Sequence, residues 1–293
     1  MRYAAIDIGS NAVKLMVGTV VDGSVSPVVI KELYVRVPVR LGADVFQTGI
    51  IPETTQRKLL DGIRAFKLII QVWNVDGVIV AATSAMRDAA NGSEVIAAVE
   101  NESGLNTHII KGKTEAALVT ELFRNLGNPG IQKIIVDLGG GSTEITLLQP
   151  DGKLKSKSFQ IGAVRSLMQK VKPAEVKKMM VWLDNNVDHQ NHCIMATGGN
   201  INALRSHFGL SVPNHILLGE LQNAYDTLLP MSVDERIAQF MINPDRADVI
   251  VPAADIFLQI MKHTGDERIL APKAGLADAL ILMQYLGKTP EEM

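Results

Sequence analysis

An aspartate that closes a short apolar run and is followed almost at once by glycine occurs twice in this chain, the copies roughly 130 residues apart, about one domain length. The first copy is Ile6-Asp7-Ile8-Gly9-Ser10-Asn11, continued by Val13-Lys14-Leu15-Met16-Val17. The second is Val136-Asp137-Leu138-Gly139-Gly140-Gly141-Ser142, continued by Thr143-Glu144-Ile145-Thr146-Leu147-Leu148. Each then meets an Asp-Gly turn, Asp22-Gly23 or Asp151-Gly152, before another strand-like run. Both copies predict a three-strand meander, and duplication of one α/β unit is the simplest account of their spacing. Two similar domains are expected rather than one barrel.

The stretches between the copies support that division. Glu53 to Val72 has helical apolar spacing and Gly77 to Ala82 reads as a buried strand. A helix over about Ser93 to Glu102, a strand at Thr107 to Ile110 and a helix over about Thr114 to Leu126 follow. Asn125 to Gly130, with Gly127, Pro129 and Gly130, has linker composition, which sets domains at 1–126 and 127–274. The second half predicts helices near Gly162 to Val171 and Pro173 to Val187, a strand at Cys193 to Ala196, one long helix from Arg246 to His263, and a strand at Arg268 to Leu270. A last helix begins at Gly275, and the segment 275–293 is expected to return to the first domain. A chain of 293 residues with 47% hydrophobic and 20% charged residues is of globular type, and no run of eighteen apolar residues offers a membrane span. The N-terminus lacks a secretory signal and the one cysteine, Cys193, forms no intrachain disulfide, so a cytoplasmic protein is expected. A net charge of −2 argues against nucleic acid as partner.

Glycines let backbone N–H groups approach a ligand and form an anion nest, so the turns at Gly9 to Asn11 and Gly139 to Ser142 suit phosphate, although each also reads as a plain tight turn. Neither copy matches a P-loop or opens directly into a helix as a dinucleotide fingerprint must. Asp7, Asp137 and Glu144 would repel a phosphate held there, and a Mg2+ ion between them is the natural reconciliation. An Asp capping its own turn is the alternative, evenly balanced for Asp7, while Glu144 on the next strand favours metal at Asp137. Arg87, just past a strand, is placed to pair with phosphate oxygens in a fork. Glu115 sits in the first turn of a predicted helix, where the macrodipole alone explains an acid. His189, His192 and Cys193 lack a fourth ligand at sensible spacing, so zinc is not expected.

Taken in order, these motifs resemble the exopolyphosphatase and guanosine pentaphosphate phosphatase family of the actin-like superfamily. The resemblance rests on Ile6 to Asn11, Ala82-Thr83-Ser84-Ala85-Met86-Arg87, Gly112 to Ala116 and Val136 to Glu144. It continues through Gly162-Ala163-Val164-Arg165, Ala196-Thr197-Gly198-Gly199-Asn200, Arg246 to Ile250 and Gly275-Leu276. It implies two duplicated actin-like, ribonuclease H-like α/β domains with chemistry in an interdomain cleft. Glu115 would orient or deprotonate the attacking water, Asp137 and Glu144 would hold Mg2+ with Asp7 joining through water, and Arg87 would neutralise charge. The turns Gly9, Ser10, Asn11 and Gly139, Gly140, Gly141, Ser142, Thr143, with Gly198 and Gly199, would bind substrate. That substrate would be inorganic polyphosphate or guanosine pentaphosphate, and family members often pair as homodimers. Ala12 stands where the family usually has a hydroxyl and Thr114 stands where many members have a second acid, and with 293 residues a short form without the longer members' helical extension is expected. Two rival readings are an actin-like kinase or ATPase with an adenosine pocket at Gly198-Gly199, and a non-catalytic sensor of ppGpp or polyphosphate.

Overall fold

Strand β1 (Arg2–Ile8) is buried along nearly its whole length, as its apolar residues Tyr3, Ala4, Ala5, Ile6 and Ile8 require of a central strand, with Asp7 the one acid among them. The computed structural model describes residues 1–24, 26–127 and 130–289. Pro129 of the expected linker and the last residues, 290–293, lie outside the described residues. The chain divides into two units, 1–125 with 275–293, and 126–274.

In the first unit β1 is followed by β2 (Val13–Val21), β3 (Val28–Val37), α1 (Leu41–Thr48), α2 (Glu53–Trp73), β4 (Gly77–Ala82), α3 (Ser84–Asp88), α4 (Gly92–Ser103), β5 (Thr107–Ile109) and α5 (Gly112–Phe123). The sheet order is β3-β2-β1-β4-β5. β1, β2 and β3 pair antiparallel as a meander, and β4 and β5 join β1 in parallel. The edge strand β3 is half-buried to exposed and carries Lys31, Glu32 and Arg36, charges that discourage edge-to-edge pairing.

The second unit runs β6 (Gln132–Leu138), β7 (Thr143–Leu148), β8 (Leu154–Phe159), α6 (Ala163–Leu167), α7 (Pro173–Asp184), β9 (His192–Thr197), α8 (Gly199–Phe208), β10 (His215–Leu217), α9 (Leu218–Leu228), α10 (Val233–Phe240), α11 (Pro244–Ala247), α12 (Ile250–Thr264) and β11 (Arg268–Leu270). Its order, β10-β11-β9-β6-β7-β8, is the first sheet's order with one added antiparallel edge strand, β10. α12 is buried along most of its length and packs on α8 and α9; on the other side of the sequence Phe159 and Trp182 meet edge to face at 5.9 Å.

The last helix, α13 (Leu276–Tyr285), packs on β1 and β2, where Leu280 and Ile281 are fully buried beside Ala5, Met16 and Leu118. The long helix expected from Arg246 to His263 is two helices, broken at Asp248-Val249. Pro252 explains the break: a continuous helix would need a Pro252 N–H to reach the Asp248 carbonyl, whereas in the first turn of α12 that donor is not required. The expected helix at Gly162 to Val171 is confined to α6, and Gln169 beyond it has a left-handed φ of 55°. Among the described residues no helix is long and apolar enough to cross a membrane.

Candidate active site

In the first unit the carboxyl ends of three neighbouring strands carry the chemistry, the usual place for ligands on an α/β sheet. Thr83 N–H donates to the Ile8 carbonyl at 3.1 Å and Ile110 N–H to the Ala82 carbonyl at 3.0 Å, so the segments leaving β1, β4 and β5 are tied edge to edge. Arg87 lies on α3 after β4, and Glu115 lies in the first turn of α5 after β5. Arg87 Nη1 donates to the Ile110 carbonyl at 2.6 Å and to Glu115 Oε2 at 3.3 Å. The two side chains are 21% and 12% exposed, so each is reachable but mostly shielded.

Asp7 is paired with a lysine that the sequence reading had not singled out. It faces Lys14 in antiparallel register, and Lys14 Nζ donates to Asp7 Oδ2 at 2.6 Å. Burial disfavours the Lys14 ammonium, but Asp7 and Tyr34 outweigh it and hold its pKa above the ordinary lysine value. An ammonium therefore lies beside Asp7, the carboxylate that the resemblance joins to Mg2+ through water. Lys14 was overlooked as one residue of an alternating strand; its seven-residue spacing from Asp7, the same as that of Glu144 from Asp137, was the available signal.

Each glycine turn is held from outside by the short helix that follows its meander. The carbonyls of Gly139, Gly140 and Gly141 accept from Ala163 N–H, from Val164 and Arg165 N–H, and from Arg165 Nε, at 2.8 to 3.0 Å. Because C=O and N–H of a trans peptide point opposite ways, the N–H groups of Gly140, Gly141 and Ser142 face away from α6, as an anion nest needs. In the first unit the Ser10 and Asn11 carbonyls accept from Gly42 and Arg40 N–H at 2.7 and 3.0 Å, which orients the Asn11 and Ala12 N–H groups likewise. Leu41-Gly42-Ala43 thus repeats Ile161-Gly162-Ala163, a further part of the duplication that neither periodicity nor turn signals had exposed.

Asp137 faces Glu144 across β6 and β7, so the two carboxylates share one face of the sheet. Glu144 is 2% exposed, and Oε1 accepts from Ser142 Oγ at 2.7 Å and Ser158 Oγ at 2.8 Å. Like charges directly opposed are unfavourable without a counter-ion. Among the described residues no three His, Cys, Asp or Glu side chains could by themselves hold a metal. A two-carboxylate pair fits Mg2+, which usually keeps several waters and takes one or two protein carboxylates.

The turn after β9 requires its first glycine: Gly198 has φ 104°, and a Cβ there would lie 3.1 Å from the Leu138 carbonyl oxygen and 3.5 Å from Asp137 Oδ1. Arg246 lies over Gly199 and, with Asn202, Ser206, His207, Ile242 and Asn243, lines a cavity of about 200 Å³. Burial and Arg246 push the His207 pKa down, which keeps its imidazole neutral. Thr143, expected among the substrate contacts, is instead fully buried with its hydroxyl donating to the Ile161 carbonyl, because its side chain lies on the face covered by the start of α6. His192 is not aimed at a metal: Nδ1 meets the Asp188 carbonyl and Nε2 meets Asp266.

The model of the Ppx/GppA phosphatase family matches residues 17–286. The chain belongs to that family. A crystal structure of the Aquifex aeolicus Ppx/GppA member matches with TM-score 0.75 and 25% identity over 98% of each chain. An exopolyphosphatase from Cytophaga hutchinsonii matches in fold with TM-score 0.82 and 20% identity over 99% of each chain. These neighbours share the two-domain actin-like α/β fold, which is the fold of this chain. The bifunctional 3-dehydroquinate synthase/phosphatase of Fusobacterium nucleatum is 31% identical over 170 residues, which cover 55% of this chain and 25% of that protein. The match therefore spans about a quarter of the curated relative's length.

Proposed function

We propose that this protein is a phosphohydrolase that releases the terminal phosphate of inorganic polyphosphate. The observation that carries the reading is the Arg87–Glu115 pair, a shielded carboxylate held against a guanidinium beside the end of a glycine turn. Membership of a phosphatase family supports it. Phosphoryl transfer needs positioning and charge neutralisation more than covalent help. Glu115 takes a proton from the attacking water as its oxygen bonds to phosphorus. The terminal anhydride P–O bond breaks, the shortened chain leaves as an oxyanion, and orthophosphate is released. In the first unit Arg87 binds phosphate oxygens, and in the second unit the N–H groups of Gly140, Gly141 and Ser142 are oriented as an anion nest. Asp137 and Glu144 would hold Mg2+, which supplies positive charge against that of the transferred group.

The test is phosphate release from polyphosphate, guanosine pentaphosphate and ATP side by side, with and without Mg2+. Polyphosphate should be cleaved fastest and only with the metal. Glu115→Gln should lower kcat by about 10²- to 10⁴-fold with little change in KM. Absence of Mg2+-dependent release from every substrate would refute the reading and favour a sensor. Guanosine pentaphosphate is the second reading, favoured by the cavity beside Gly199, which offers Asn202, Ser206, Asn243 and a neutral His207 to a nucleoside. A lower KM for guanosine pentaphosphate than for polyphosphate would select it.

A further inference from the structure

Charge is unevenly spread in the second unit. Residues 153–178 hold seven lysines and Arg165 against one acid, Glu175, in a chain whose net charge is −2. Lys153 is answered by Asp151 at 2.7 Å and Lys178 by Glu175 at 3.1 Å. Lys155, Lys170, Lys172 and Lys177 are exposed, and among the described residues their side chains have no hydrogen-bond or ion-pair partner. We propose that the lysines of β8 and α7 form a second binding site, separate from the glycine turns, which holds a distant stretch of the same linear polyphosphate chain whose end is hydrolysed.

Strand register gathers these cations. Lys155 and Lys157 face Leu147 and Ile145 on one side of the sheet, with Phe159 next in the row, and successive members stand about 7 Å apart. Helix α7 lies against that side: Phe159 meets Trp182 edge to face, Lys157 Nζ lies 5.6 Å from the Phe159 ring, and the Gln160 N–H donates to Glu175 Oε2 at 3.3 Å. Burial raises the Glu175 pKa, but the hydrogen bonds from Lys178 and Gln160 and the charges of Lys178 and Lys157 outweigh it and hold it below the ordinary carboxylate value, so cations from β8 and α7 converge on this one acid. Lysines on an edge strand also discourage strand pairing, but Lys170, Lys172 and Lys177 lie off the strand and serve no such purpose. The chemistry of the surface selects the ligand. Its aromatic residues, Phe159 and Trp182, are 0% and 9% exposed, so the patch has no stacking platform for nucleobases and no ring to anchor in a membrane interface. What it presents is a row of flexible ammonium groups, which suits a linear polyanion without bases.

Position sets the dependence on chain length. Lys155, Lys157 and Phe159 share a face with Thr143, the face covered by the start of α6, whereas the N–H groups of the glycine turn face away from α6. A short ligand reaches one site or the other. A long chain passes round the edge strand β8 and is held at both, so that its second attachment becomes intramolecular and strengthens the first.

The inference rests on the phosphohydrolase reading for its choice of ligand, but its test does not need turnover. Long-chain polyphosphate, tripolyphosphate, RNA and vesicles of anionic phospholipid are titrated into the full chain in EDTA over a range of salt. The proteins are wild type, the double variant Lys155→Ala with Lys177→Ala, and the double variant Lys155→Arg with Lys177→Arg. Both positions are exposed and unpaired among the described residues, so all three should melt at the same temperature. Wild type should bind the long chain about tenfold or more tightly than tripolyphosphate. The alanine variant should lose most of that advantage and lower the slope of log K against log salt by about two, one for each phosphate contact removed. The arginine variant should keep both. Equal affinity of wild type for long and short chains, unchanged long-chain affinity in the alanine variant, or tighter binding of RNA or vesicles than of polyphosphate would each overturn the proposal. Lysine-dependent binding by a protein that releases no phosphate in Mg2+ would uphold the second site while refuting the phosphohydrolase reading, and phosphate release with lysine-independent binding would do the reverse.

Discussion

Gly162 is demanded by distance and not by backbone angle: a Cβ there would lie 2.4 Å from the Gly140 carbonyl oxygen, backbone that cannot move aside cheaply. Gly162→Ala should therefore push the glycine turn off α6 and misdirect the N–H groups of Gly140, Gly141 and Ser142. The expected result is a large rise in KM together with a lower melting temperature, read by steady-state kinetics and calorimetry; wild-type KM in a folded Gly162→Ala variant would refute the nest geometry. At this scale the sequence was informative about residue type and blind to partners. It singled out Asp7, Asp137, Glu144, Arg87 and the glycines, because an acid beside consecutive glycines is chemically odd. The pairing of Asp7 with Lys14 depends on strand register, for which the shared seven-residue spacing was the one hint, and the burial of the Thr143 hydroxyl depends on which face is covered, which no spacing rule supplies.

Within the elements, β9 begins with an interaction that responds to pH. His192 is nearly buried, and both ring nitrogens face oxygen acceptors, the Asp188 carbonyl at 2.8 Å and Asp266 Oδ2 at 3.0 Å, so satisfying both requires the imidazolium. The hydrogen bond to Asp266, working against burial, holds the His192 pKa above its ordinary value of 6.5. Because the folded value is the higher one, the pair's stabilisation is fully present below the ordinary imidazole pKa and is lost as pH rises through the folded value. Urea midpoints measured from about pH 6 to about pH 9 should fall more steeply for wild type than for His192→Gln; equal slopes would dismiss the pair as a contributor. Most elements were legible from apolar periodicity, β4 and β11 to the residue. The misjudged helix at Arg246 to His263 had its answer in Pro252, whose missing N–H was overridden by an apolar pattern that suits both pieces.

For the whole molecule, the first unit is completed by a helix that arrives after the second unit has been traversed. Leu280 and Ile281 are fully buried against β1 and β2, so Leu280→Ala should cost about 2–5 kcal/mol, and removing residues from 275 onward should leave the first unit unable to unfold cooperatively. Two-state melting of the truncated chain with wild-type enthalpy would contradict this. The duplication, the α/β class and the acids at the strand ends were determined by the sequence alone, because strand period, glycine turns and repeat spacing are local properties of the chain. The tertiary structure alone decided that Lys14 answers Asp7 while Glu144 answers Asp137, that α6 in one unit and the entry to α1 at Arg40 and Gly42 in the other turn the carbonyls of the glycine turns away from the ligand side, and that Arg87 meets Glu115. Those contacts depend on strand register and on the packing of helices against the turns, and their energies exist only once both have brought the groups within a few ångströms of one another.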